Sequence, residues 1–309
     1  FKSAQGSSFE GRVLSYEGNN FFLEGKDAKI ISVTLNQLSK EDQKYLQETV
    51  QAGKIGTGNP HETGSTPVEG KPWTVPSIGL EMNWCEPGTF MMGSPESEEG
   101  RREDEIQTKV TLSNGFFLGK YEVKVKEYLI LMDKVPGGGF SLSPIKGEQA
   151  IAHINWSDAI KFSEKLTKLE NQEGRLPEGW VYSMPTEAEW EYACRAGTTF
   201  VYSWGSNIDS SRASYNWDRG GGDGRDFKET IEVGSYAPNP WGFYDMHGNA
   251  AEMVLDWMAN LPGGEVADPV GPMTGSFRVQ RGGSWLDRSN GLRSAARKNM
   301  PMGQNNQGQ

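Results

Sequence analysis

Hydrophobic residues in the first fifty positions come in short groups rather than long runs. Phe9, Arg12-Val13-Leu14, Phe21-Phe22-Leu23 and Ile30-Ile31-Ser32-Val33 read as short strands. Gly18-Asn19-Asn20 and Gly25-Lys26-Asp27 supply turns between them. Ser39 ahead of Lys40-Glu41-Asp42 reads as an N-cap with acids in the first turn, which predicts a short helix. From Ala52 to Ser77 the apolar periodicity stops and Gly, Thr, Pro and Ser dominate. This stretch reads as a linker, with His61 a solvated loop residue. From Ile78 the pattern is dense but irregular. GLEMNWCEPGTFMMGS alternates like a strand pair, and ESEEGRREDE reads as a solvated charged loop. GFFLGKYEV reads as a buried strand that leads into a helix carrying Tyr128, Leu131 and Met132. Trp156 to Leu169 predicts a second helix, with Ala159, Ile160, Phe162, Leu166 and Leu169 compatible with one face. Thr186 and Glu189 form a capping box ahead of a third helix that carries Trp190, Ala193 and Cys194 on one side. Beyond Gly197 the pattern is one of turns, short strands and tryptophans.

Composition sharpens this picture in three ways. The 39 glycines among 309 residues favour turns and irregular backbone over long helices. The net charge of −10 argues against nucleic acid, whose phosphates need clustered Lys and Arg, and suits cation binding. Cys85 and Cys194 lack the short spacing of a zinc or redox motif, which leaves two buried thiols or one long-range disulfide. No run approaches the ~18 apolar residues that span a bilayer. The chain begins at Phe1 rather than Met. The expectation is a mature exported chain with its signal peptide removed, or the ordered part of a longer one.

Four blocks carry a family resemblance: PGTFMMGSPESEEGRREDE, MPTEAEWEYACRAGT, NPWGFYDMHGNAAEM and RVQRGGSWLDRSNGLRSAAR. In this order they resemble the formylglycine-generating-enzyme, or sulfatase-modifying-factor, domain. The resemblance implies an α+β fold, an irregular C-type-lectin-like domain over 78–309. Residues 1–51 resemble a small SH3-like barrel, the SLA1 homology domain 1 appended to many bacterial surface proteins. A bare pair of β-hairpins is the other reading of that unit. A plainer reading of the long blocks is structural: Trp190 and Trp241 as core aromatics, and Arg281, Arg293 and Arg297 paired with acids or carbonyls.

The resembling enzyme oxidises a substrate cysteine, using copper held by two cysteines shortly after its Gly-Gly-Ser motif. Here Gly282-Gly283-Ser284 is followed by WLDRSNGLRSAARKNM, without cysteine, and Asp287 stands where the first thiol is expected. A carboxylate is too hard a ligand to replace a thiolate on Cu(I), so no copper is expected. A relative with histidine-bound iron, the ergothioneine-type sulfoxide synthase, needs an N-terminal helical domain that this pattern lacks. The resemblance also implies structural calcium. Asp245, Gly248, Ala250 and Glu252 match one calcium loop, and Asn216, Trp217 and Asp226 (or Asp223) a second. Such hard oxygen ligands around a tight glycine turn suit Ca²⁺. The alternative for the first loop is a turn capped by Asp245, with Glu252 paired to an arginine. His247 beside that loop reads as a loop or core residue.

The functional expectation is a non-catalytic binding or scaffold protein of the bacterial envelope or exterior, secreted, periplasmic or on the cell surface. Ser284, Trp285, Asp287, Arg288 and Arg293 would present its surface to a protein or glycan partner. An enzyme of altered chemistry at Asp287, or a subunit of a larger surface assembly, are the alternatives.

Overall fold

The computed structural model describes residues 11–17, 20–25, 30–51, 66–132, 147–216 and 229–301. Phe9, His61, Trp217, Asp223 and Asp226, together with parts of the first two turns, lie outside these residues. Strands β1 (Gly11–Glu17), β2 (Asn20–Gly25) and β3 (Ile30–Thr34) form an antiparallel sheet in sequence order. Helix α1 (Lys40–Gln51) follows. Its cap is Ser39, whose hydroxyl oxygen accepts the Asp42 N–H at 3.2 Å, and it buries Leu46.

The larger part of the chain begins before the predicted boundary. Strand β4 (Trp73–Val75) lies within the stretch that composition assigned to the linker. It pairs with β5 (Leu80–Cys85), and Trp73 and Val75 are buried, so two apolar residues outweigh a polar, Pro-rich neighbourhood. Strands β6 (Gly88–Met92) and β7 (Thr108–Leu112) are antiparallel. β8 (Phe116–Gly119) returns to β5 and runs on to α2 (Val125–Leu131). Helix α3 (Trp156–Gln172) is capped by Asn155, which accepts the Asp158 N–H at 2.9 Å. It buries Phe162 and Leu166 against Trp73, Leu80 and Tyr128. Helix α4 (Glu187–Arg195) carries the expected capping box, with Thr186 and Glu189 each accepting the other's backbone N–H. Its C-terminus turns out through left-handed Ala196 (φ 46°).

Two further sheets complete the fold. β9 (Glu252–Trp257), β11 (Phe277–Arg281) and β12 (Lys298–Pro301) form one, with β11 central. β10 (Gly264–Ala267) adds to β7 in parallel. Among the described residues, four small sheets and four α-helices make a mixed architecture held by loops. Among the described residues no helix is long and apolar enough to cross a membrane. Cys85 and Cys194 are free thiols buried in the same apolar cluster.

Helix α4 is buried on every face except at Glu189, yet it carries Glu187, Glu191 and Arg195. Each is neutralised in place. Glu191 accepts the Arg195 Nε–H at 2.8 Å and the Gly93 N–H at 2.8 Å, and its second oxygen receives Arg281. Glu187 takes Arg297 through two bonds of 2.6 and 2.7 Å. Arg293 donates to Glu105 through both terminal nitrogens (2.9 and 2.7 Å) and to Glu98 at 2.6 Å. The run read as a solvated loop is therefore partly internal. Glu105 is fully buried and the Glu98 side chain nearly so, because each meets an arginine from the far end of the chain.

Removing one partner of such a pair strands a buried charge, at a cost of about 3–5 kcal/mol. Arg293→Met is expected to lower unfolding stability by that amount in urea titration. Lys109→Met, which breaks the exposed Lys109–Glu265 pair, is expected to stay within about 1 kcal/mol. Equal losses would contradict the assignment.

Candidate functional site

The predicted surface residues lie on the turn after β11. Gly283 adopts φ +71°, and a Cβ there would sit 2.8 Å from the Gly291 carbonyl oxygen, so only glycine fits. Beyond it, Ser284 donates its N–H (2.9 Å) and its hydroxyl (2.8 Å) to one oxygen of Asp287. Lys298 donates to the other at 2.9 Å. The Asp287 carboxylate thus closes its own turn and ties it to β12. It borders a cleft of about 240 Å³ whose rim includes Gly100, Arg102, Asn290 and Lys298.

The five residues expected on one surface separate by depth. Arg288 is exposed, Trp285 and Asp287 are half-buried, and Ser284 and Arg293 are buried. Arg293 is spent on Glu98, Glu105 and the carbonyls of Gly100 and Asn290. A guanidinium with that many internal acceptors holds the cleft floor rather than meeting a ligand.

The loop before β9 builds a second feature. Asp245 (φ 54°) and Asn249 (φ 58°) are left-handed, and Gly248 has φ +108°. A Cβ on Gly248 would lie 2.2 Å from the Ser214 carbonyl oxygen. Asp245 accepts the Gly234 N–H at 2.6 Å. Glu122, which the sequence reading passed over, reaches into this loop from the segment after β8. It accepts the Ala250 N–H and the Asn249 side-chain amide, both at 2.8 Å. The signal for it was an acid at the end of the mostly apolar GFFLGKYEV.

Burial pushes the Asp245 carboxyl up to about 6. Burial, with the Asp245 charge adding to it and Trp190 opposing it, pushes Glu252 up to about 7. Glu122 is raised well above its ordinary value by burial and then by Asp245 and Glu252. Asp245 and Glu252 thus act on Glu122, and Asp245 on Glu252, across one loop. Among the described residues no three His, Cys, Asp or Glu side chains converge at metal-binding distance. A cation here would therefore need the backbone oxygens of Gly248 and Ala250 beside Asp245 and Glu252. Hard oxygens, a tight turn and uncompensated acids fit Ca²⁺. Asn216 is exposed and donates its N–H to the Asp287 carbonyl at 2.9 Å, which links the two loops.

His247 sits inside the core, as expected. Its Nδ1 donates to the Leu292 carbonyl at 2.7 Å, so Nε2 is the unprotonated nitrogen and accepts the Ser203 N–H at 3.1 Å. Burial lowers its pKa to about 4 and keeps it neutral. Near the start of α4, Asp256 accepts the Glu187 N–H at 2.7 Å. Burial first, then the Glu187 and Glu189 charges, raise it to about 7 against the help of that bond and of Arg297.

Comparison with known proteins gives a consistent result. Residues 74–308 match the sulfatase-modifying factor enzyme 1-like domain. The chain is 30% identical over 161 residues to the bovine formylglycine-generating enzyme, covering 49% of this chain and 39% of that protein. It is 27% identical over 246 residues to a Chlamydia pneumoniae protein named serine/threonine-protein kinase pkn1, covering 71% of this chain and 35% of that one. The chain thus spans well under half the length of either relative. It is 29% identical over 221 residues to the chaperone protein LppX of Paenibacillus barcinonensis, covering 59% of this chain and 72% of that one. Among solved structures, PvdO from Pseudomonas aeruginosa superposes with a TM-score of 0.63 at 25% identity, covering 78% of this chain and 95% of that one. Treponema denticola variable protein 1 gives 0.61 at 26%, covering 78% and 96%.

The pH dependence of Asp256 follows from the direction of its shift. Its folded-state pKa lies above its unfolded value, so the stability it contributes is present at low pH and is lost as pH rises through about 7. Urea unfolding in EDTA at pH 5, 6, 7 and 8 is expected to show stability falling across this window. Asp256→Asn should flatten the slope by up to about 1.4 kcal/mol per pH unit, one proton's worth. Identical slopes would rule out Asp256 as a contributor.

Proposed function

Because the chain belongs to the sulfatase-modifying factor enzyme 1-like family, we propose that it keeps the framework of that family as a binding or scaffold module, without oxidising cysteine to formylglycine. The observation that carries this reading is Asp287. It stands where the resembling enzyme has its first thiol, and its two oxygens are occupied by Ser284 and Lys298. A saturated carboxylate offers nothing to Cu(I), which takes thiolate. The remaining buried thiols, Cys85 and Cys194, lie in the apolar core and burial raises both well above the usual thiol range.

The cleft beside Asp287 is the surface for a protein or glycan partner. Arg102, Asn290 and Lys298 offer polar groups at its rim, over a floor that the arginine pairs hold rigid, and Trp285 and Arg288 lie on the adjoining turn. That two relatives carry the names of a kinase and a chaperone supports a framework not tied to one reaction. The calcium reading of the 245–252 loop belongs to the same proposal: the ion would relieve Asp245 and Glu252 and fix the approach to β9. A small SH3-like unit at 1–51 and a place in the envelope or exterior complete it. Fractionation of the native organism tests the location. The cleft itself favours a second reading, an enzyme of altered chemistry, but its charged groups are already paired.

Purified protein incubated with copper, oxygen and a cysteine peptide should yield no aldehyde above the peptide-only control by mass spectrometry. Measurable conversion would refute the non-catalytic reading. For calcium, 1 mM CaCl₂ over EDTA should raise the thermal midpoint by several degrees, as binding to the folded state alone requires. Glu252→Gln should remove most of that rise, and an unchanged midpoint in the parent protein would refute the site.

A further inference from the structure

A cavity of about 400 Å³ lies on the far side of β9's first residues, where the cluster of Trp73, Leu80, Tyr128 and Phe162 meets Met184 and Met253. Native cores leave few voids larger than a water molecule, and ligand sites start at about 300 Å³. This cavity is partly open to solvent and its volume falls in the ligand-site range.

The lining has a definite chemistry. Trp73, Phe117, Tyr121, Tyr128, Trp180 and Tyr182 present aromatic rings to the cavity. Tyrosines aside, the ionisable residues on its wall are Glu122, Glu189 and Glu252, with no Lys, Arg or His among the lining residues. Glu122 already accepts the Ala250 N–H and the Asn249 amide, so the site relies on Glu189. Glu189 spends Oε2 on the Thr186 N–H (2.7 Å) and hydroxyl (2.9 Å), and no bond engages Oε1 among the described residues. Independently, the Tyr128 hydroxyl is buried at 1% exposure without a hydrogen-bond partner, although its side chain lines the cavity. A buried hydroxyl left unsatisfied costs free energy that a bound polar group would recover.

We propose that this cavity is a binding site for an organic ammonium ion with an apolar body. The open Glu189 oxygen attracts the ammonium head, aromatic faces stabilise it through cation–π contact, and the apolar clusters take the tail. A neutral molecule with the same apolar body would leave the open Glu189 oxygen unpaired, and an anion would be repelled by it. The site stands apart from the cleft at Asp287 and does not need the calcium reading, since Glu189 is no part of that loop.

The test is calorimetric titration of the whole protein in EDTA with 4-phenylbutylammonium, 4-phenylbutanol and 4-phenylbutyrate, which share one apolar body. The ammonium ion is expected to bind at least ten-fold more tightly than the alcohol, and the carboxylate not measurably. Glu189→Gln keeps the capping acceptor and should weaken the ammonium ion at least five-fold without changing the alcohol. Ala159→Phe fills the cavity from α3, leaves every acid in place, and should abolish binding while far-UV circular dichroism stays native. Equal binding of ammonium ion and alcohol, no binding of any probe to folded protein, or full binding to a folded Ala159→Phe would each overturn the proposal. Repeating the titration in 1 mM CaCl₂ separates the two sites. Ammonium affinity within three-fold supports two sites, whereas one-for-one displacement by calcium assigns the acids to the metal loop and overturns this proposal alone.

Discussion

The fold depends on charge neutralisation inside the core. Three arginines from one late segment, Arg281, Arg293 and Arg297, each meet glutamates carried by α4 or by the 98–105 loop. Burying a lone carboxylate or guanidinium is prohibitive, and pairing offsets that only when geometry and hydrogen bonds are complete. Here they are nearly so. Arg281 gives Nη hydrogens to the carbonyls of Ser294, Ala295 and Ala296 as well as to Glu191. The sheets are too small and too separate to hold one another by strand pairing, so this lattice joins them. It also dictates that α4 be buried on nearly all sides despite its charges.

The cleft at Asp287 and the acid loop at 245–252 are consequences of the same lattice. The turn after β11 is held from below by Arg281 and Arg293, so its upper side can change residue type without losing shape. On that upper side Asp287 closes the turn through Ser284 and Lys298, while Gly283 sets its geometry. The acid loop rests on the same helix through Trp190, which packs beneath it in the core with Met246 and Val254. Framework and surface chemistry are thereby separable.

Local signals were legible wherever a short-range rule decides the outcome. The Thr186–Glu189 capping box marked the start of α4, and Ser39 marked α1, because a cap is a contact between near neighbours. The pairing of Arg281, Arg293 and Arg297 with acids or carbonyls was anticipated in kind, since arginines in glycine-rich, aromatic surroundings need acceptors. Which acids they meet was not legible. ESEEGRREDE reads as solvated by local charge alone, and only tertiary contact reveals that Glu98 and Glu105 turn inward. β4 was missed for a similar reason: three residues among Pro and Thr carry no period, and their burial comes from partners elsewhere. Of the expected surface residues, Trp285, Asp287 and Arg288 remain accessible. Ser284 and Arg293 do not, because hydrogen-bonding demand within the turn and the cleft floor outranks exposure.

The separation along the chain of these paired charges has a kinetic meaning. Glu105 and Arg293 are 188 residues apart, and β7 takes β10 as its parallel neighbour across a comparable interval. At about 5–20 residues per second of synthesis, the acid waits on the order of 10–40 s before its arginine exists. Until then the nascent polypeptide holds unpaired carboxylates that oppose collapse. A chain built this way keeps those carboxylates hydrated until the segment that carries Arg293 has emerged, and only then can this part of the core close around them.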